Sequence, residues 1–178
     1  METLNEANYI KWLLTDQMID IVAAVSMGRD IISQFKENKL TTQQAMGRLR
    51  ICNHSVILTL FKLHELRKKY GKFLSTLPSE ETAGIFKDAA DIENKKICKF
   101  RNSYAAHIFD RETMAPISMQ KGEELLNSIT GKDNDQCEAF YDWLYPLQWS
   151  IDKPCVVSSI ERLRAYCRQL PGGELRRP

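Results

Sequence analysis

The chain has 178 residues, of which 43% are hydrophobic and 27% charged, which is enough apolar material for the core of one ordinary domain. This composition excludes an intrinsically disordered or collagen-like protein. The 25 basic and 23 acidic residues leave a net charge of +2, so a nucleic-acid-binding surface would have to be local. Five scattered cysteines are typical of a reducing compartment. With neither a secretory signal nor a membrane-spanning apolar run, we expect a cytoplasmic protein without a membrane partner.

The first part of the chain predicts a long helical hairpin. Apolar residues recur at alternating steps of three and four within residues 4–35 and again within Thr42–Leu74, which is the spacing of a helical seam. Thr41 and Gln44 have the form of a capping box that starts the second helix. The short polar connection makes the two helices antiparallel. Within the seam, Gly28 predicts the close approach of a partner backbone, and Asn53 is interpreted as a polar residue that fixes the register.

The remainder of the chain predicts further helices and no strand. A third helix over residues 79–108 begins with Ser79 as its N-cap, and residues 109–117 form a loop. Shorter helices follow at 119–129, 133–147 and 153–170, with Asp133 and Asp152 as caps of the last two. We therefore predict an all-α helical bundle in one domain, 1–178, divided into the hairpin and third helix (1–108), additional helices (109–170) and a tail (171–178).

Most catalytic signatures are absent from the sequence. There is no glycine-rich phosphate loop, no G-x-S-x-G nucleophile elbow and no H-E-x-x-H zinc motif. His54, His64 and His107 occur in unrelated contexts, so we expect neither a metal site nor a cofactor. His54 and His64 are interpreted as packing residues of the hairpin. The aromatic residues Trp143, Tyr145 and Trp149 are interpreted as core.

One segment, residues 101–107, carries a combination suited to chemistry on RNA. An arginine can hold a phosphate through two parallel hydrogen bonds, and a histidine titrates near neutral pH and can move protons. Arg101 and His107 would together suffice for cleavage in which the RNA 2′-hydroxyl attacks the adjacent phosphate, without a metal ion. Asn102, Ser103 and Tyr104 lie between them and are candidate supporting residues.

This segment, Arg101-Asn102 followed by four residues and His107, resembles the signature of the HEPN superfamily (higher eukaryotes and prokaryotes nucleotide-binding domains). The hairpin-first all-α architecture is also similar, and the small residues Ala105 and Ala106 resemble the abortive-infection branch. The resemblance implies a metal-independent endoribonuclease. It also implies a candidate role for that enzyme as a toxin or phage-defence component with a cognate antitoxin. It also implies a homodimer in which two motifs share one cleft.

Two features of the sequence bear on this assignment. On one regular helix, six residues leave Arg101 and His107 roughly 120° apart, so either the helix is irregular or two chains form the site. The spacing of the motif also occurs at Arg48 and His54, in the middle of the hairpin and with Leu49 in the polar position, and we treat that match as accidental.

Other interpretations remain open from sequence alone. The chain could be a non-catalytic helical interaction or nucleotide-binding module, in which Arg101 and His107 only complement a helix end and Tyr104 belongs to the core. Exposed basic residues near the motif are possible nucleic-acid contacts if they border it, and otherwise a solvated helix face: Lys99, Arg67, Lys68, Lys69 and Lys72.

Overall fold

The structure is a computed structural model that describes residues 2–105 and 115–177, with the side chains of 5–102, 104 and 115–177. All of its regular elements are helical, and the described part of the chain contains no β-strand, so the all-α prediction is confirmed. The helices are α1 (Glu2–Lys36), α2 (Thr42–Leu74), α3 (Ser79–Asn94), α4 (Ile97–Phe100), a π-helical turn (Arg101–Ala105), α5 (Met119–Thr130), α6 (Asn134–Leu144) and α7 (Val156–Gln169).

Helices α1 and α2 form the predicted antiparallel hairpin. The middle of the seam is fully buried, as at Leu14 and Val25 on α1 and Leu60 on α2. The Thr41 side chain accepts a hydrogen bond from the backbone of Gln44, and the Gln44 side chain accepts one from the backbone of Thr41, at 3.3 and 3.0 Å. This capping box satisfies backbone donors that the first turn of α2 would otherwise leave unpaired.

The two unusual seam positions, Gly28 and Asn53, both serve Tyr141 of α6. A Cβ atom on Gly28 would lie 2.6 Å from the Tyr141 Cζ, so only glycine leaves room for this ring. A close approach is therefore present at Gly28, but it is made by the Tyr141 ring and not by the partner backbone that the sequence predicts. The Tyr141 hydroxyl donates a 2.7 Å hydrogen bond to Asn53 Oδ1, and burial raises the pKa of Tyr141. The pair ties α6 to the hairpin at one register.

Helix α7 packs against α1 and α3 and completes the main core. Its first residues differ from the prediction, because Cys155 rather than Asp152 is the N-cap and its Sγ accepts from the backbone of Ser158 at 3.4 Å. Asp133 caps α6 as predicted, through a 2.8 Å bond from the Gln136 backbone. At α3 the N-cap position belongs to Pro78, so the prediction of Ser79 as the cap is wrong.

The predicted continuous third helix is also wrong. Helix α3 ends at Asn94, and Lys96 adopts a left-handed conformation with φ of 59°. A regular helix would have placed Lys95 and Lys96, three and four residues after the buried Ile92, in the apolar seam. The break keeps Lys96 exposed and resumes the core contact at Ile97, which is fully buried.

Candidate functional site

Arg101 begins the π-helical turn and lies beside the outer surface of the hairpin. Its side chain is half-buried, with the guanidinium carbon 4.6 Å from the centre of the Phe61 ring on α2. Its Nη1 donates a 3.0 Å hydrogen bond to Asn102 Oδ1. The cation–π contact and the amide together hold the guanidinium in place at the surface. Asn102 therefore contacts Arg101 directly, and its role as a supporting residue of the site stays a prediction.

The Arg101 side chain borders a surface groove of about 290 Å³, which we call the Arg101 groove. It is lined by Asp20 of α1, by α2 and by Arg101; the α2 residues are Ser55, Leu58, Thr59, Phe61 and Lys62. Lys62 Nζ lies 3.6 Å from the Asp20 carboxylate, and both side chains are exposed. Within residues 2–105 and 115–177, no carboxylate lies within 4.0 Å of the Arg101 guanidinium.

The chain abandons α-helical geometry at the motif. Residues Arg101–Ala105 form a π-helical turn, a local irregularity that often marks a functional position. Arg101–Ala105 therefore depart from the regular helix on which the 120° separation was calculated. His107 lies outside the described residues, as do Ala106 and residues 109–114 of the predicted loop, and the Ser103 side chain is not described. The structure thus defines the arginine side of the candidate site.

Tyr104 anchors the π-helical turn in the fold. Its ring packs against Phe100 at 5.3 Å and His54 at 5.9 Å between ring centres, and it lies directly on Gly122 of α5. Its hydroxyl accepts a hydrogen bond from Arg50 Nη2. A ring enclosed on these sides has a structural role, which agrees with the core interpretation of Tyr104 and not with base stacking.

Sequence reasoning overlooked Arg50, which lies one helical turn before His54 on α2. The Arg50 guanidinium is 5.8 Å from the centre of the Tyr104 ring as well as bonded to its hydroxyl. Only the i, i+4 spacing of Arg50 and His54 was available as a sequence signal, and it does not reveal a tertiary partner. Arg50 is therefore a second arginine that reaches the motif segment.

His54 is a packing residue, as its sequence context indicates. Its ring stands edge-on to Phe100 with centres 5.4 Å apart, and its buried Nε2 has no hydrogen-bond partner among the described residues. Burial, with a smaller contribution from the charge of Arg50, lowers the pKa of His54. The imidazole is therefore held neutral. His64, also half-buried, has its Nδ1 3.5 Å from the Glu93 carboxylate.

The basic residues singled out from the sequence are all exposed but do not form one track. Arg67 extends over the Phe86 ring of α3 at 5.4 Å, whereas Lys69 lies over Tyr70 at 5.1 Å and faces the N-terminal part of α1. Lys68 and Lys72 are exposed on the same part of α2, and Lys99 is exposed on α4, two residues before Arg101. Of this set, Lys99 is nearest to Arg101 in the chain.

The described residues contain neither a membrane-spanning helix nor a cluster of metal ligands. No described helix is long and apolar enough to cross a membrane. No group of three or more His, Cys, Asp or Glu side chains in the described ranges is placed to hold a metal ion.

The fold places the chain among all-α proteins built on a long helical hairpin. No family model matches the sequence, and no curated protein matches it. One solved structure has a similar fold: the integron cassette protein Vpc_cass2, from the mobile metagenome of V. paracholerae. The two chains share 21% sequence identity and a TM-score of 0.73, with 92% of this chain and 96% of the other covered. At this identity the similarity shows the fold alone.

Proposed function

We propose that the protein is a metal-independent endoribonuclease of the HEPN type. The main support is the environment of Arg101. Its guanidinium contacts Phe61 and Asn102 and borders a surface groove, and no carboxylate among the described residues neutralises its charge. A purely structural arginine at a helix end would be expected to pair with an acid or with unpaired carbonyls. The π-helical turn at the motif supports the same assignment.

In the proposed reaction, Arg101 and His107 act on one phosphodiester. His107 takes the proton from the 2′-hydroxyl, whose oxygen then attacks phosphorus while the bond to the 5′-oxygen breaks. The protonated His107 gives its proton to the leaving 5′-oxygen, directly or through water, so the products are a 2′,3′-cyclic phosphate and a 5′-hydroxyl. Arg101 stabilises the negative charge that develops on the non-bridging phosphate oxygens.

The test is cleavage of single-stranded RNA in the presence of EDTA by wild type, Arg101→Ala and His107→Ala. We expect cleavage by the wild type and a loss of at least 10²-fold in both variants, because each removes a group that acts in the transition state. Arg48→Ala is the matched control, since Arg48 is exposed and has the same spacing to His54 as Arg101 has to His107. Equal cleavage by all variants, or none by concentrated wild type, would refute the proposed activity.

The active form is proposed to be a homodimer whose two motifs share one cleft. Exposed apolar side chains on the hairpin support this: Leu58 lines the Arg101 groove, and Ile51, 71% exposed, lies two turns away on the same face of α2. Ile19 and Met27 are exposed on α1. Burial of such side chains against a second copy would contribute to association.

The dimer can be tested with Ile51→Asp. Light scattering should give the mass of two chains for the wild type and of one chain for the variant, because a buried carboxylate would oppose association. Leu147→Asp, at a position that is 81% exposed in the α6–α7 connection, should leave the mass unchanged. A wild type that cleaves RNA as a monomer would contradict the dimer proposal.

A toxin or phage-defence role with a cognate antitoxin, in the cytoplasm, is the proposed biological setting. The similar fold of a cassette protein from a mobile metagenome agrees with a gene that moves between genomes. Growth arrest on expression that is lost with His107→Ala would support this role. Growth arrest that persists in that variant would instead favour a non-catalytic interaction module.

A further inference from the structure

The C-terminal tail is bound to α1 by a buried lysine. Lys11 is 7% exposed, and its ammonium group donates to the carbonyl oxygens of Gly173 and Leu175 at 2.5 and 2.8 Å. Asn8 donates to the carbonyl of Arg176 at 3.3 Å. These bonds fix the tail across the N-terminal third of α1 and place the side chain that follows, Arg177, next to the hairpin.

The tail forms one wall of a second surface groove, about 370 Å³ in volume, which we call the tail groove. It is lined by Tyr9, Trp12, Leu13, Asp16, Lys69, Tyr70 and Arg177. Three of these are aromatic, and the Tyr9 side chain is 40% exposed. Tyr70 is only 7% exposed, so Tyr9 supplies the accessible ring.

The charges of the tail groove are arranged to leave it cationic. Arg177 Nη2 lies 2.6 Å from the Asp16 carboxylate, which uses the one acidic side chain of the lining. Lys69 Nζ is 5.1 Å from the centre of the Tyr70 ring and has no carboxylate within 4.0 Å among the residues described. Glu65, exposed one turn before Lys69 on α2, is the nearest acid along that helix.

The tail groove and the Arg101 groove are both lined by residues of α1 and α2, on the surface of the hairpin. Asp16 and Asp20, one helical turn apart on α1, line the tail groove and the Arg101 groove respectively. On α2, Lys62 lines the Arg101 groove and Lys69 lines the tail groove. These lysines are seven residues apart, so the two grooves are separated by roughly 11 Å along α2. An extended single strand could occupy both.

We propose that the tail groove binds an unpaired nucleotide of single-stranded RNA while the scissile phosphate lies at Arg101. The base would pack on the exposed Tyr9 ring. Lys69 and the remaining donors of Arg177 would contact the backbone phosphate. Packing on this ring requires a base that is not stacked in a duplex. That the strand is the substrate of cleavage rests on the proposed nuclease function.

The experiment measures binding of a labelled 2′-O-methyl RNA strand by fluorescence anisotropy, in EDTA and at low salt. This probe lacks the attacking hydroxyl, so binding is read without cleavage. Wild type should bind the single strand more tightly than its duplex. Tyr9→Leu and Lys69→Gln should each weaken single-strand binding about fivefold or more, since each removes a stacking ring or a phosphate contact. Lys132→Gln, an exposed lysine between α5 and α6, is the matched control.

The outcomes separate this inference from the nuclease proposal. Unchanged binding by both groove variants, absent binding by the wild type, or a preference for the duplex would each overturn the inference, even if RNA is cleaved in an Arg101-dependent manner. Weakened binding by both variants supports the inference even if ordinary RNA is not cleaved, in which case the nuclease proposal fails. Arg177→Gln, which removes the ion pair with Asp16 and one cation of the tail groove, gives a third variant in which single-strand binding should also weaken.

Discussion

Arg101→Lys is expected to lower the single-turnover rate of RNA cleavage by about 10²-fold although it keeps the positive charge. A guanidinium can form two parallel hydrogen bonds with a phosphate and stack on an aromatic ring, whereas an ammonium is a compact point charge. In the structure Arg101 uses the second property on Phe61, which leaves the planar fork oriented beside the groove. Lysine would lose this orientation together with the bidentate contact.

The control for this prediction is Arg50→Lys. Arg50 also contacts an aromatic ring, that of Tyr104, but its role is to hold the π-helical turn. We expect a lower melting temperature for Arg50→Lys and a smaller loss of rate than for Arg101→Lys. If Arg101→Lys retained more than about a third of the wild-type rate, the geometry of the guanidinium would not be part of catalysis.

Asp88→Asn is expected to stabilise the protein at neutral pH by as much as about 3 kcal/mol. Asp88 is 5% exposed at the contact of α3 with α7, and one carboxylate oxygen has no partner among the described residues. The pKa of Asp88 is raised from 3.8 to about 6, mainly by burial. The hydrogen bond with Ser159 and the charge of Lys87 lower this pKa, whereas the charge of Asp91 raises it. The folded state therefore favours the protonated carboxyl.

The pH dependence follows from this direction of shift. The folded state holds the Asp88 proton up to about pH 6, whereas the unfolded chain releases it near 3.8, so stability decreases as pH rises between these values and stays lower above them. Urea unfolding of wild type and Asp88→Asn should give similar free energies near pH 4 and a gap in favour of the variant at pH 7.5. Asp30→Asn, on an exposed part of α1, should show no such gap. An equal difference at both pH values would contradict the assignment to Asp88.

The hairpin was predictable because its signals are local. The three-and-four spacing of apolar residues and the Thr41 capping box lie within each helix or at its start, and the structure places α2 at Thr42–Leu74 as predicted. The partner of Gly28 and Asn53 was not predictable in the same way. Tyr141 lies 88 residues beyond Asn53, and nothing in either segment specifies that contact.

The break after α3 was missed because the continuous helix was predicted from the spacing of its apolar residues alone. Ile92 and Phe100 are both buried and both fit one helical stripe, but the two lysines at 95 and 96 occupy the intervening seam positions. The cost of burying a lysine charge exceeds the few backbone hydrogen bonds lost at a break. A rule that tests each intervening residue would have predicted this turn.

The candidate site was predicted in part. The sequence identifies Arg101 and Asn102, and the structure places Arg101 in the lining of the Arg101 groove with Asn102 bonded to it. It could not identify Phe61 or Arg50, because these residues act through contacts between α2 and the π-helical turn. The sequence did not decide whether Tyr104 supports the site or belongs to the core, and only the contacts of its ring with neighbouring rings distinguish these roles. The nuclease assignment itself stays a prediction.

The contact between Tyr104 and Gly122 has a consequence for how this fold can vary between species. A Cβ atom at position 122 would overlap the Tyr104 ring, so a large residue at 104 requires glycine at 122. Where a homologous chain carries a smaller side chain at the position of Tyr104, the opposing glycine is free to become alanine or serine. We therefore expect these two positions to covary, and their joint pattern would mark the chains in which α5 supports the motif in the same way.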